Sequence, residues 1–191
     1  VGLVVERDVA GNDREGESPA FKGNGEAILL AGAPAAAGRP RGRGSREGRS
    51  TGRDECREPP VDLGHERRVG DFVRSLVRDR RVTAVHDLSD GGVAVALAEM
   101  AMAAGVGAAV DLPSDAAPLA ALFGEDQGRY VVTAPVDEVG TLLELAEQAG
   151  VRLAQIGATG GGDLKLGGKV AISVAKLKEA HENWFPAFMN G

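Results

Sequence analysis

From residue 38 to residue 60 the chain contains no Val, Ile, Leu, Met, Phe, Tyr or Trp, and a segment without apolar side chains has no face to bury. Seven Arg stand there against four acids, Glu47, Asp54, Glu55 and Glu58. Any core must therefore be built from the sequence on either side. The chain has 191 residues, 43% of them hydrophobic, enough for one good core. A single domain over 1–191 is expected, with residues 33–60 an aberrant, disordered stretch inside it. The net charge of −6 argues against a nucleic-acid partner, whose phosphates call for a basic surface. No apolar run approaches the roughly 18 residues of a spanning helix, so no membrane partner is expected. The lone Cys56 has no internal disulfide partner, which fits a cytoplasmic location. The sequence starts at Val1, in a strand-like run with neither Met nor a cleavable signal, and reads as a piece of something longer.

Periodicity places the elements. Residues 1–5 and 26–31 read as strands separated by the polar turn residues of 11–16. After the Arg-rich run, Val69, Phe72, Val73, Leu76 and Val77 form one stripe at helical spacing, predicting a helix over 66–77. A β-branched strand over 82–86 precedes a helix over 91–104, which Gly105 is placed to end. Strands are expected at 108–112, 130–133, 151–156, 164–166 and 170–173. Helices are expected at 116–122, at 138–149 with Gly150 as its stop, and at 174–181. The fold class is α+β, a mixed sheet flanked by helices.

Two loops carry the candidate chemistry. In His86-Asp87-Leu88-Ser89-Asp90-Gly91-Gly92, between a strand and a helix, Ser89 or Asp90 is the expected cap. Gly91 and Gly92 cost helix stability of roughly 1 kcal/mol each, so something besides propensity retains them. Either a phosphate group rests on the helix N-terminus, with a metal offsetting Asp87 and Asp90, or the glycines permit tight packing of the turn. In the second loop Glu125, Asp126 and Gln127 are placed to orient a polar ligand, and Arg129 to pair a phosphate or one of those carboxylates; solvated loop charges are the plain alternative. Gly160-Gly161-Gly162 reads as a flexible turn, since no helix follows it. His65, His86 and His181 lack ligand spacing with Cys56, so no metal site is expected. Cys56 has no nearby His and is not expected to be a nucleophile. The apolar tail from Trp184 to Met189 is expected to dock onto a core or a neighbouring domain.

The runs at 86–100, Leu122-Phe123-Gly124-Glu125-Asp126-Gln127-Gly128-Arg129-Tyr130 and His181-Glu182-Asn183-Trp184-Phe185-Pro186 resemble the C-terminal end of phosphoribosylformylglycinamidine synthases, and more closely the small bacterial synthetase subunit. The resemblance runs from about residue 61 to 191, and more loosely over 1–32. It implies a C-terminal domain of the aminoimidazole ribonucleotide synthetase type, the last of four domains in a duplicated chain. It also implies a purine-synthesis ligase that uses ATP and Mg²⁺ to phosphorylate the amide oxygen of formylglycinamide ribonucleotide, which ammonia then converts to the amidine. A glutaminase subunit and a small bridging subunit are implied as partners, besides the remaining synthetase domains. The family's catalytic His, Mg²⁺-binding acids and ATP contacts lie in earlier domains, so no catalytic residue is assigned here and the chain is expected to be inactive alone. The duplication implies a nucleotide or phosphate site at Asp87, Ser89, Asp90, Gly91 and Gly92, open to ADP with Mg²⁺, and a ligand loop at Glu125, Asp126, Gln127 and Arg129.

Residues 33–60 depart from the family, which has a Gly-x-Leu-Gly-x-Ser turn and an apolar helix there. A compensated frame shift in a GC-rich coding region or a true insertion each accounts for the Arg-rich run. Two other functions stand beside the synthetase: a non-catalytic module that binds nucleotide or docks to a partner, and a related ATP-dependent synthetase with another substrate.

Overall fold

The structure, a computed structural model, describes residues 19–33, 62–112, 118–168 and 170–189. The strand read at 1–5, the turn at 11–16, most of the Arg-rich stretch with Cys56, and the start of the helix read at 116–122 lie outside the described residues. The described elements run in the order β1 (Ala27–Ala31), α1 (Leu63–Arg78), β2 (Ala84–Asp87), α2 (Gly92–Ala104), β3 (Ala108–Val110), α3 (Pro118–Phe123), β4 (Tyr130–Ala134), α4 (Val139–Gln148), β5 (Leu153–Thr159), β6 (Asp163–Leu166), β7 (Val170–Ser173) and α5 (Val174–Met189). A single 3₁₀ turn, Val136–Glu138, leads into α4.

The strands form one mixed sheet in the order β2-β4-β1-β5-β3-β6-β7. Its pairs are antiparallel except β3 with β6. β1 lies inside the sheet and is buried along its whole length, which explains why its sequence, Ala-Ile-Leu-Leu-Ala, is apolar throughout rather than alternating. Its side chains divide between two cores. Ala27, Leu29 and Ala31 join Val69, Phe72, Val73 and Leu76 of α1 and Leu142 of α4 on one face. Ile28 and Leu30 join Val93, Leu97 and Met100 of α2 on the other, where Val174 and Leu177 of α5 also pack. The α+β architecture expected from the sequence is present, with helices on both faces.

Local chemistry sets the element ends. α1 begins three residues before the expected position because Asp62 caps it, its carboxylate accepting from the His65 N–H at 3.0 Å. α2 ends at Gly105, which takes φ +69° and donates its N–H to the Ala101 carbonyl, as the left-handed glycine stop requires. The 160–162 turn is tied down rather than loose. Gly160 N–H donates to the Gly107 carbonyl, Gly107 N–H to the Gly161 carbonyl, and Val174 N–H to the Gly162 carbonyl. The last helix extends to Met189 rather than stopping at 181, carrying its backbone through Pro186. Of the two places expected for the apolar tail, this domain's own core does not take it up: Trp184, Phe188 and Met189 are 65%, 70% and 65% exposed.

Candidate functional site

Strand order decides which loops meet. β2 pairs with β4 so that Asp87 stands opposite Tyr130, which brings the loop leaving β2 beside the loop entering β4. The two candidate motifs, separated by 29 residues of sequence, thus border one cleft of about 700 Å³. Asp87, Leu88, Ser89 and Asp90 form one side of it, and Glu125, Gln127, Gly128, Arg129 and Tyr130 another. The third wall is α1, which contributes Glu66, Arg67, Asp71 and Arg74. That wall is invisible to sequence reasoning, because in sequence it is only the polar face of an amphipathic helix.

The turn into α2 differs from the expected one. Gly91 occupies the N-cap with φ +82°, and neither Ser89 nor Asp90 caps the helix through its side chain. The capping carboxylate comes from the other loop, where Glu125 Oε1 accepts from the Gly91 N–H at 3.0 Å. Gly92 N–H donates to the Ser89 carbonyl at 3.1 Å. The two amides that suggested an anion seat are therefore engaged by the protein itself. Both glycines also have steric reasons to be glycine. A Cβ on Gly91 would run into the Val95 side chain, and one on Gly92, at φ +61°, would lie 2.6 Å from the Gly124 carbonyl oxygen and 3.0 Å from that of Leu122.

The second loop is partly structural as well. Arg129 borders the cleft but is only 2% exposed, with Nη1 3.5 Å from Asp126 Oδ2. Its Nε and Nη1, like Asp126 Oδ2, have no hydrogen-bond partner. Burial lowers the Arg129 pKa and the Asp126 carboxylate opposes that shift, so the pair is held by charge rather than by directed hydrogen bonds. Beside it, burial first and the Asp87 carboxylate second raise the Tyr130 pKa, which keeps the phenol a neutral donor. On α1, Asp71 accepts from Arg74 at 2.6 Å and lies 3.7 Å from Arg67. Both arginines are thus partly neutralised.

Of the expected site residues, Asp87, Ser89, Asp90 and Gln127 border the cleft without being consumed by the fold, whereas Gly91, Gly92, Glu125, Asp126 and Arg129 have structural tasks. Three arginines against five acids give the lining a formal balance of −2, so it does not favour a bare phosphate. Mg²⁺ needs converging oxygen ligands, and among the described residues no three His, Cys, Asp or Glu side chains gather to hold a metal. On their own these side chains do not form a site for the ion.

Comparisons with known proteins agree with this architecture. The family model described as "AIR synthase related protein, C-terminal domain" matches residues 23–169. A phosphoribosylformylglycinamidine synthase subunit PurL from Chelativorans sp. is 59% identical over 174 residues, covering 89% of this chain and 23% of that protein. The chain thus spans about a quarter of the length of the curated relative. Among solved structures, PurLQS from Thermotoga maritima has a TM-score of 0.67 at 20% identity, covering 83% of this chain and 27% of that one. T. maritima PurL complexed with ATP has a TM-score of 0.66 at 18% identity, covering 83% and 26%. At these identities the solved structures show the shared fold.

Proposed function

Since the chain belongs to the family of AIR synthase related protein C-terminal domains, we propose that it serves as the C-terminal domain of a phosphoribosylformylglycinamidine synthase, the ATP-dependent ligase that turns formylglycinamide ribonucleotide into its amidine in purine synthesis. The observation that carries this reading is the 59% identity over 174 residues to a PurL subunit, far above what a shared fold alone requires. The activity belongs to the longer protein, working in the cytoplasm with a glutaminase and a small bridging subunit, in keeping with the T. maritima complex named PurLQS. Among the described residues no helix is long and apolar enough to cross a membrane.

On this reading the chain's own contribution is a rigid sheet and a polar cleft. Supplied with ATP, Mg²⁺ and ammonia, the isolated chain is expected to form no amidine. Fused in place of the matching quarter of the Chelativorans relative, it is expected to restore ammonia-dependent turnover. Turnover by the chain alone, or an inactive fusion that is folded, would overturn the reading.

The cleft is the place on this domain for a nucleotide. Asp87 and Asp90 repel a free phosphate, and a carboxylate about 4 Å from one costs on the order of 1 kcal/mol in water and more when buried. Mg²⁺ carried on ADP converts both acids into attractive partners. Calorimetric titration is expected to show ADP binding only with Mg²⁺, and loss of that binding in Asp90→Asn. Equal affinity without the metal would show the carboxylates misassigned. Absence of binding in both conditions would leave the cleft a packing feature.

A further inference from the structure

The last helix, α5, follows β7, the strand at the edge of the sheet. Val174, Leu177, His181, Trp184 and Phe188 follow one another at steps of three and four residues, which puts all five on a single stripe of the helix. The inner part of this stripe is used: Val174 is buried and Leu177 packs against the core that α2 lines. The outer part runs past that core. There Trp184 and Phe188 stack on each other, ring centroids 5.6 Å apart and planes 9° from parallel, and together with Met189 they remain mostly exposed. A stripe that starts as a packing surface and continues as one beyond the domain's edge is built to meet a second surface there.

We propose that the outer half of α5, Trp184 with Phe188 and Met189, is the docking face against the part of the synthetase polypeptide that relatives carry and this chain does not. This rests on the reading of the chain as one domain of that ligase. Two observations favour a covalently attached occupant over a second copy. The matched relative is far longer than this chain, which covers 23% of it, so a tethered surface is available. The area also discriminates. An aromatic side chain buries roughly 150–250 Å², so these three side chains at their present exposure offer roughly 500 Å² at most. A stable association of free partners needs roughly 800 Å² on each side. A tethered neighbour, at an effective concentration in the millimolar range, holds with less. The occupant's surface is apolar, because Trp184, Phe188 and Met189, the exposed side chains of the outer stripe and its end, are themselves apolar.

The test is hydrogen exchange, followed by mass spectrometry, on the full-length fusion described above. In Phe188→Glu the amides of 181–189 are expected to exchange about tenfold faster or more, while those of α2 keep their protection and Phe188→Leu restores the slow rate. Glu forms helix at least as well as Phe, so in the isolated chain the same substitution loses little beyond the stack on Trp184 and is expected to change the exchange much less than in the fusion. Unchanged exchange in the Phe188→Glu fusion overturns the docking face. So does a concentration-dependent dimer of the isolated chain that the substitution abolishes, since the occupant is then a second copy. Ligase turnover of the fusion is measured separately, so a failed functional reading shows as lost turnover and a failed docking face as unchanged exchange.

Discussion

Gly92→Ala is expected to destabilise the chain by about 3 kcal/mol, measured as a lowered midpoint in urea. Two terms add. Holding an alanine in the left-handed conformation that Gly92 adopts, φ +61°, costs about 1 kcal/mol or somewhat more. The new Cβ would also lie 2.6 Å from the Gly124 carbonyl oxygen and 3.0 Å from that of Leu122. These are backbone atoms at the end of α3, which cannot swing aside as a side-chain tip can, so relief requires moving a helix against a close-packed core. Gly105→Ala supplies the comparison. That glycine has a similar φ, +69°, with nothing within 4 Å of its Cβ position, so only the conformational cost of about 1 kcal/mol applies. Equal losses for the two substitutions would mean that the loop carrying Gly124 yields freely. In that case the paired glycines are not kept for packing, and the ligand reading of Gly91 and Gly92 regains ground.

Much of the fold is legible in the sequence because it is set by local signals. The β7 strand covers the expected 170–173, and α2 stops at the glycine placed to stop it. What is not legible depends on contacts between distant segments. Glu125 caps α2 from a loop two elements later, while Ser89 and Asp90, the residues that local capping rules favour, leave their side chains uninvolved. Likewise Arg67, Asp71 and Arg74 look like any solvated helix face. Only the order in which the strands pair, with β2 and β4 side by side, turns them into the wall of a cleft. The α5 end is hidden for a different reason: Pro186 and the polar residues before it interrupt the local helical pattern, while the stripe from Val174 to Phe188 persists through them. Spacing brings charged groups to a loop, but burial and partners decide whether the fold consumes them.

Arg129 and Asp126 show that distinction most sharply. Asp126→Ala is expected to cost about 3 kcal/mol, because it leaves a guanidinium that is 2% exposed without its Asp126 partner, the ion pair it makes among the described residues. Removing one partner of a buried ion pair typically costs roughly 3–5 kcal/mol. The lower end applies here, since Asp126 itself keeps 15% of its side chain exposed and the 3.5 Å contact carries no directed hydrogen bond. Arg129→Met is expected to cost much less. A thioether of similar reach fills the same space without desolvating a charge, and the freed Asp126 carboxylate can still draw water at its exposed edge. The double variant should recover most of what Asp126→Ala loses, giving a coupling energy of about 2 kcal/mol in a double-mutant cycle. Urea denaturation of the four proteins measures it. If Arg129→Met costs as much as Asp126→Ala and the double variant is no better, the guanidinium is anchored by more than this carboxylate, and Arg129 is then fixed for a reason that its pairing with Asp126 does not supply.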